Sequence, residues 1–179
     1  MIVSNSIGQG EILATPLQIA NLSAIIANRG YYYVPHLVKH IEGVELDSLY
    51  TTKKVTSIDS AYFTPIVDGM ELVMTAGTGW GSRIDSISVC GKTGTAENPH
   101  GEDHSLFMAF APKDNPKIAI CVIVENSGFG ATWAAPIASL MMEKYLKGNI
   151  SKNKKWMEER MMNANLMPDL NKKAVKKEN

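Results

Sequence analysis

The residues best suited to chemistry lie in one short run at positions 91–96, which reads G-K-T-G-T-A. Lys92 supplies a fixed cation that can stand beside a nucleophile. Thr93 and Thr95 offer hydroxyl groups to a substrate carboxylate, and Gly94 between them lets a substrate backbone come close. The apolar residues just before the run predict that it lies on a strand. These features suit a strand edge that binds an anionic substrate next to a nucleophile.

Two nucleotide-binding motifs share letters with this region, and neither is complete. A P-loop requires a glycine five positions before Gly91, where the chain has Ser86. A dinucleotide fingerprint over residues 77–82 ends on Ser82 where a glycine is required. We therefore expect no cofactor. A surface strand whose end happens to read K-T-G-T is the simplest alternative to a functional site.

The surroundings of this run point to one enzyme family. Residues 91–96 resemble the K-T-G element of penicillin-binding proteins and class A β-lactamases. Four other segments resemble, in order, segments of the class B penicillin-binding proteins: S-I-G-Q-G with T-P-L-Q (6–18), G-M-E-L-V with G-T-G (69–79), H-S-L-F-M-A-F-A-P (104–112) and I-A-I-C-V-I-V-E-N (118–126). The long polar loop before His104 most resembles the elongation type, penicillin-binding protein 2.

This resemblance implies a peptidoglycan D,D-transpeptidase. In the family, a serine attacks the penultimate D-Ala carbonyl of a stem peptide, and β-lactams mimic that D-Ala-D-Ala end. Lys92 and Thr95 are then the expected catalytic residues, because Lys92 supplies positive potential and the Thr95 N–H contributes to the oxyanion hole. Thr93, Gly94 and Thr95 are the expected substrate-binding residues. The hydroxyls bind the carboxylate, and Gly94 lets the substrate lie along the strand.

The nucleophile of the family is expected in the motifs S-x-x-K and S-x-N. Their one formal match is S-K-N-K at residues 151–154, which follows K-T-G although the family order puts both motifs before it. No apolar helix surrounds this match. We therefore expect the chain alone to be inactive. Two other functions stay open, a non-catalytic module that binds a peptide or a β-lactam, and a fragment of a serine β-lactamase.

Two groups of reactive side chains have structural explanations. His100 and His104 bracket two carboxylates, but such a loop is typical of a solvated turn and lacks the H-E-x-x-H pattern, so we expect no metal. His104 is expected to be a structural hydrogen-bonding residue. Cys90 and Cys121 are predicted on strands with a third strand between them. Two spacings of about 4.8 Å exceed the reach of a disulfide.

The apolar patterning predicts the order helix, strand, helix, strands, helix. Thr15 and Gln18 form a capping box for a helix that runs to about residue 27, and a second helix starts at Thr64-Pro65. The other predicted elements are an extended segment over 31–41, strands over 86–95, 105–111 and 117–125, and a closing helix over 133–147. This order predicts an α+β fold with helices packed on an antiparallel sheet.

The resemblance adds detail to this fold. It implies the C-terminal portion of a penicillin-binding/β-lactamase-like domain, in which the K-T-G strand lies at one edge of a five-stranded sheet. The N-terminal strands and the nucleophile helix are expected to be absent. Residues 1–148 are then the C-terminal part of the transpeptidase domain, and residues 149–179 a basic tail that is disordered or partly helical.

Composition limits the partners. The chain of 179 residues has 18 basic and 18 acidic side chains, so its charge gives no reason to expect nucleic acid. Neither a signal peptide nor an apolar run of membrane-spanning length is present. The resemblance places the parent protein at the periplasmic face of the bacterial inner membrane. The partners it implies are the stem peptide, β-lactams, the N-terminal half of the domain and cell-elongation membrane proteins.

Overall fold

The computed structural model describes residues 6, 8–10 and 12–167. Helix α1 (Pro16–Ala27) begins with the predicted capping box, in which Thr15 Oγ1 accepts from the Gln18 N–H and the Gln18 side chain accepts from the Thr15 N–H. The helix ends where Gly30 adopts a φ of 109° and its N–H donates to the Ile25 carbonyl. A glycine is favoured there because this φ strains other residues.

The extended segment predicted over residues 31–41 is wrong in its length. Only β1 (Tyr31–Tyr32) is a strand, and it pairs antiparallel with β2 (Lys54–Val55), which follows the short helix α2 (Ser48–Thr51). Pro35 has no N–H to donate to a ladder, and β2 offers only two residues for pairing. The aromatic and β-branched residues that suggested a longer strand therefore lack a partner strand.

Helix α3 (Phe63–Thr75) begins slightly before the predicted Thr64. A 3₁₀ turn over Ser60–Tyr62 leads directly into it, and the Asp59 carboxylate accepts from the Ala61 N–H at 2.8 Å. The cap thus belongs to the 3₁₀ turn, and the helix itself has no side-chain cap. Sequence patterning misses this because the capping residue stands four positions before the helix.

The main sheet has three antiparallel strands in the order β3 (Cys90–Ala96), β4 (His104–Ala111) and β5 (Ile118–Val124). Strand β3 begins at Cys90, four residues after the predicted start at residue 86. The chain turns at Ser86, which has a φ of 64°, and residues 84 and 87 form an isolated bridge instead. Cys90 and Cys121 lie on the outer two strands with β4 between them, and both are free thiols, as predicted.

Helices cover both faces of this sheet. Helix α4 (Ala134–Lys147) ends at Gly148, which has a φ of 77°, and packs on one face. Helices α1 and α3 pack on the other face. The buried residues of the first layer include Phe107, Ala109, Ala134, Ala138 and Met142. Those of the second layer are Ile26, Ala27, Phe63, Val67, Met70, Cys90 and Phe110. This is the mixed fold of helices on an antiparallel sheet that the sequence predicts.

The chain continues beyond α4 with ordered structure. A 3₁₀ turn over Lys152–Lys154 leads into helix α5 (Lys155–Asn163), and Lys154 and Met157 are buried. The boundary drawn at residue 148 stays a prediction, and residues 168–179 lie outside the described residues. None of the helices described is long and apolar enough to cross a membrane.

Candidate active site on strand β3

Strand β3 presents the K-T-G run at one edge of the sheet. Within the described residues it pairs with β4 alone, which leaves its outer edge unpaired. Side chains alternate along a strand, so Lys92 and Gly94 share one face while Thr93 and Thr95 share the other. The register sets Lys92 opposite Met108 and Thr95 opposite Ser105. The four predicted site residues therefore form one continuous strip with different groups on its two faces.

Lys92 is an exposed cation without an acidic partner. Its Nζ donates to the Thr93 carbonyl at 2.6 Å, and no carboxylate within the described residues forms an ion pair with it. A carbonyl oxygen offers an amine a hydrogen bond but does not neutralise its charge. Lys92 therefore keeps its positive potential for an approaching anion.

Thr93 already has a hydroxyl partner. Its Oγ1 lies 2.7 Å from Oγ1 of Thr78, which belongs to the G-T-G segment just after α3. That segment carries part of the family resemblance, but the sequence alone predicts no role for Thr78. The two threonines stand 15 positions apart, and only the packing of α3 beside β3 brings them together.

The outer edge of β3 is contacted by Gln9. Its Nε2 donates to the Thr95 carbonyl at 3.5 Å, and its Oε1 accepts from the Glu97 N–H at 3.2 Å. The N–H and C=O of one strand residue point to the same side of the strand, so the Thr95 N–H also points outward, away from β4. Gln9 was not among the predicted site residues. The S-I-G-Q-G segment was the available signal.

Glycines let neighbouring elements approach the strip from behind. A Cβ at Gly130 would collide with the carbonyl oxygens of Gly94 and Leu106, so the chain before α4 lies directly against β3 and β4. A Cβ at Gly91 would collide with the Phe107 ring. Ser105, fully buried, donates to the Phe129 carbonyl at 2.9 Å and accepts from the Ala134 N–H at 3.0 Å. The strip thus rests on a packed layer.

The S-K-N-K match lies in a different environment. Ser151 Oγ donates a short hydrogen bond to Glu143, and Lys154 Nζ donates to Ser139 Oγ at 2.8 Å while lying 3.6 Å from Glu143 Oε2. Burial lowers the pKa of Lys154, although Glu143 opposes that change. Burial alone would raise the pKa of Glu143, but the Ser151 hydrogen bond and the Lys154 charge lower it. These contacts join the end of α4 to α5.

The histidine-containing loop before β4 is held by hydrogen bonds. His104 Nδ1 accepts from the Asn126 N–H at 3.0 Å, and Asp103 Oδ1 accepts from the Asn98 N–H at 3.2 Å. The Asp103 carbonyl accepts from the N–H groups of Ser127 and Gly128. In the part of the chain that the structure describes, no three side chains of metal-binding type lie together. His104 therefore has the structural contact that the sequence predicts.

Known proteins similar to this chain belong to one family. Residues 2–143 match the family model described as the penicillin binding protein transpeptidase domain. The chain is 37% identical to peptidoglycan D,D-transpeptidase MrdA of Haemophilus influenzae, over 86% of this chain and 27% of the relative. It is 36% identical to peptidoglycan D,D-transpeptidase PbpA of Mycobacterium tuberculosis, over 80% of this chain and 31% of the relative.

Solved structures give the same result. Pseudomonas aeruginosa PBP2 in complex with WCK 5153 matches with a TM-score of 0.70 at 35% identity, over 84% of this chain and 34% of that chain. The imipenem acyl-enzyme complex of M. tuberculosis penicillin-binding protein A matches with a TM-score of 0.68 at 33% identity, over 79% of this chain and 33% of that chain. The chain spans between a quarter and about a third of the length of these relatives. It belongs to the transpeptidase-domain family of the penicillin-binding proteins, with relatives of the PBP2 type.

Proposed function

We propose that this chain is part of a peptidoglycan D,D-transpeptidase that cross-links stem peptides through a serine acyl-enzyme and that also binds β-lactams. The observation that carries the proposal is the strip Lys92–Thr95 on the outer strand β3. There an exposed, unneutralised lysine, two hydroxyl groups and an outward main-chain N–H lie within four residues. A substrate that carries both a carboxylate and a reactive carbonyl fits these groups.

The reaction assigns a role to each group. The serine oxygen adds to the penultimate D-Ala carbonyl, its proton passes to a base, and the C–N bond breaks as the leaving D-Ala amine takes up a proton. The Thr95 N–H stabilises the oxyanion, and Lys92 supplies positive potential beside the nucleophile. Thr93 and Thr95 hold the terminal carboxylate. A stem-peptide amine then attacks the acyl carbonyl and restores the serine.

The nucleophile belongs, in this proposal, to another part of the parent protein. The one S-x-x-K match in the sequence has its serine and lysine engaged with Glu143 and Ser139. Strand β5 is evidence that another segment packs beside it in the parent protein. Among the described residues it pairs only with β4, and all seven of its residues are half-buried. An unpaired apolar strand edge favours association. The N-terminal half of the domain is its proposed occupant.

The location and the membrane partners of the parent protein are also proposed from the family. The parent protein would work at the periplasmic face of the inner membrane, together with cell-elongation membrane proteins. The alternative of a non-catalytic module that binds a peptide or a β-lactam is favoured by one observation. The sequence has no S-x-x-K match outside residues 151–154.

Intact-mass spectrometry after incubation with benzylpenicillin separates these functions. The chain alone should show no covalent adduct, whereas the chain mixed with the N-terminal half should show one penicillin, attached to a serine of the added half. Addition of that half should also raise the melting temperature, because it covers the edge of β5. A stable adduct on any serine of this chain would contradict the proposed division of the site. Reversible binding without any adduct in the mixture would favour the non-catalytic module.

A further inference from the structure

The loop that carries Thr78 is folded tightly against the end of α3. The Gly79 N–H donates to the Val73 carbonyl at 3.0 Å, and the Trp80 N–H donates to the Gly77 carbonyl at 3.1 Å. A Cβ at Gly77 would lie 2.8 Å from the Val73 Cα, which is closer than any side chain can approach. Glycine at this position therefore allows the turn, and the turn presents Thr78 to strand β3.

Helix α3 is itself anchored where β3 begins and β4 ends. Lys113, which follows β4, forms ion pairs with Asp68 at 2.8 Å and with Glu71 at 2.7 Å. Ser88, which precedes β3, donates to Glu71, and its carbonyl accepts from the Lys113 N–H at 2.8 Å. One turn further along, buried Met74 packs beside Gly91. These contacts fix the distance between the end of α3 and the K-T-G strip.

The hydrogen bond between Thr78 and Thr93 has a direction that substrate binding would decide. A threonine hydroxyl has one proton to donate and two lone pairs that accept. If Thr93 donates its proton to a carboxylate, then Thr93 must accept from Thr78 in the 2.7 Å contact. Donation by Thr78 also polarises the Thr93 hydroxyl, since hydrogen bonds in a chain strengthen one another.

We propose that Thr78 is a positioning residue for carboxylate recognition, which orients the Thr93 hydroxyl so that its proton points to the substrate. The proposal rests on the function proposed above and extends the site beyond β3 to the loop after α3. Thr78 does not contact the reacting atoms in this role. Its effect therefore depends on whether the ligand carries a free carboxylate.

A pair of ligands isolates this dependence. The acylation rate constant of the parent protein, which contains this chain and the N-terminal half of the domain, is measured with benzylpenicillin and with its methyl ester, which lacks the negative charge. Thr78→Val removes the hydroxyl and keeps the shape, and should slow acylation by the free acid about three- to tenfold, the usual value of one hydrogen bond. The rate of acylation by the ester should fall much less. Thr78→Ser should restore the rate with the free acid.

The control is Thr75→Val, which removes a hydroxyl that donates to the carbonyls of Glu71 and Leu72 in its own helix. It should leave both rates unchanged. Equal slowing of acid and ester by Thr78→Val, or no slowing of either, would overturn the role of Thr78. If valine lowers the melting temperature, Thr78→Ala is compared in the same way. A wild-type parent protein that forms no acyl-enzyme would instead contradict the proposed function itself, and with it this role.

Discussion

Two lysines that both match family motifs occupy opposite environments in this protein. Lys92 of K-T-G is exposed on strand β3 and, among the described residues, hydrogen-bonds to a carbonyl and to no carboxylate. Lys154 of S-K-N-K is buried between α4 and α5 with Glu143 and Ser139. Removing one partner of a buried ion pair destabilises a fold because the other charge is left uncompensated, whereas an exposed lysine without an acidic partner is available to a ligand. Whether a lysine in a motif can have the function of that motif therefore depends on its burial and on its contacts.

Lys113 lies between these two extremes. Its side chain is 23% exposed, against 9% for Lys154, and it pairs with Asp68 and Glu71. Hydrogen bonds to these two carboxylates raise its pKa. If the comparison is right, the loss of stability on mutation should decrease from Lys154 through the Lys113 pairs to Lys92, and the loss of activity should be greatest at Lys92.

The largest loss of stability is expected for Lys154→Met. Methionine keeps the apolar stem but removes the cation, and this leaves the fully buried Glu143 without the charge that faces its Oε2. Breaking a buried pair costs about 3–5 kcal/mol of unfolding free energy. Because Lys147 Nζ remains 3.3 Å from Glu143 Oε1, we expect the low end of this range. Lys152→Met, at an exposed lysine of the same turn, is the control and should change stability by less than about 0.5 kcal/mol. Equal melting temperatures for the two variants would contradict a structural role of Lys154.

Gly130→Ala should lower both stability and activity. The new methyl group would collide with the backbone of Gly94 and Leu106, which cannot move aside as a flexible side chain can. Overpacking typically costs about 1–3 kcal/mol. Because Gly94 belongs to the proposed substrate strip, acylation by benzylpenicillin should fall as well. Gly81→Ala, with open space around it, should change neither quantity. An unchanged acylation rate in Gly130→Ala would show that the close packing of Gly130 against β3 does not affect the site.

Glu71→Gln should make stability less dependent on pH. Hydrogen bonds from Lys113 and Ser88 lower the pKa of Glu71 below its usual 4.5. Ionised Glu71 therefore stabilises the fold above about pH 4.5, and this contribution is lost as the pH falls through the lowered pKa. The group is partly exposed, so the effect should be at most about 1 kcal/mol. Melting temperatures measured from pH 7 to about pH 3 test this, with exposed Glu159→Gln as the control. A curve parallel to that of the wild type would contradict it.

Local signals in the sequence predict the elements that depend on few residues. The capping box at Thr15 places the start of α1, and Gly148 places the end of α4. The order of the three strands and the free cysteines also follow from patterning. The length of the segment after Tyr31 does not, because a strand needs a partner and the sequence does not show how short that partner is.

The candidate site, too, is only partly predictable from the sequence. Residue type and order identify the strip from Lys92 to Thr95, but its contacts with Gln9, Thr78 and Gly130 join positions far apart in the chain. The burial of Lys154 depends on Glu143, which stands 11 positions earlier on another helix. Composition alone suggests a solvated tail there. Only the packing of α5 on α4 distinguishes a buried lysine from an exposed one.

The role of strand β3 is tested most directly by the acylation of the parent protein by benzylpenicillin, measured for the wild type, Lys92→Ala and the control Lys144→Ala. Lys92 is exposed and unpaired within the described residues, so its loss should change stability by less than about 0.5 kcal/mol. The acylation rate should nevertheless fall about 10²–10³-fold, because a positioned charge acts in the transition state. Lys144→Ala should match the wild type. An unchanged acylation rate in Lys92→Ala would contradict the role assigned to strand β3.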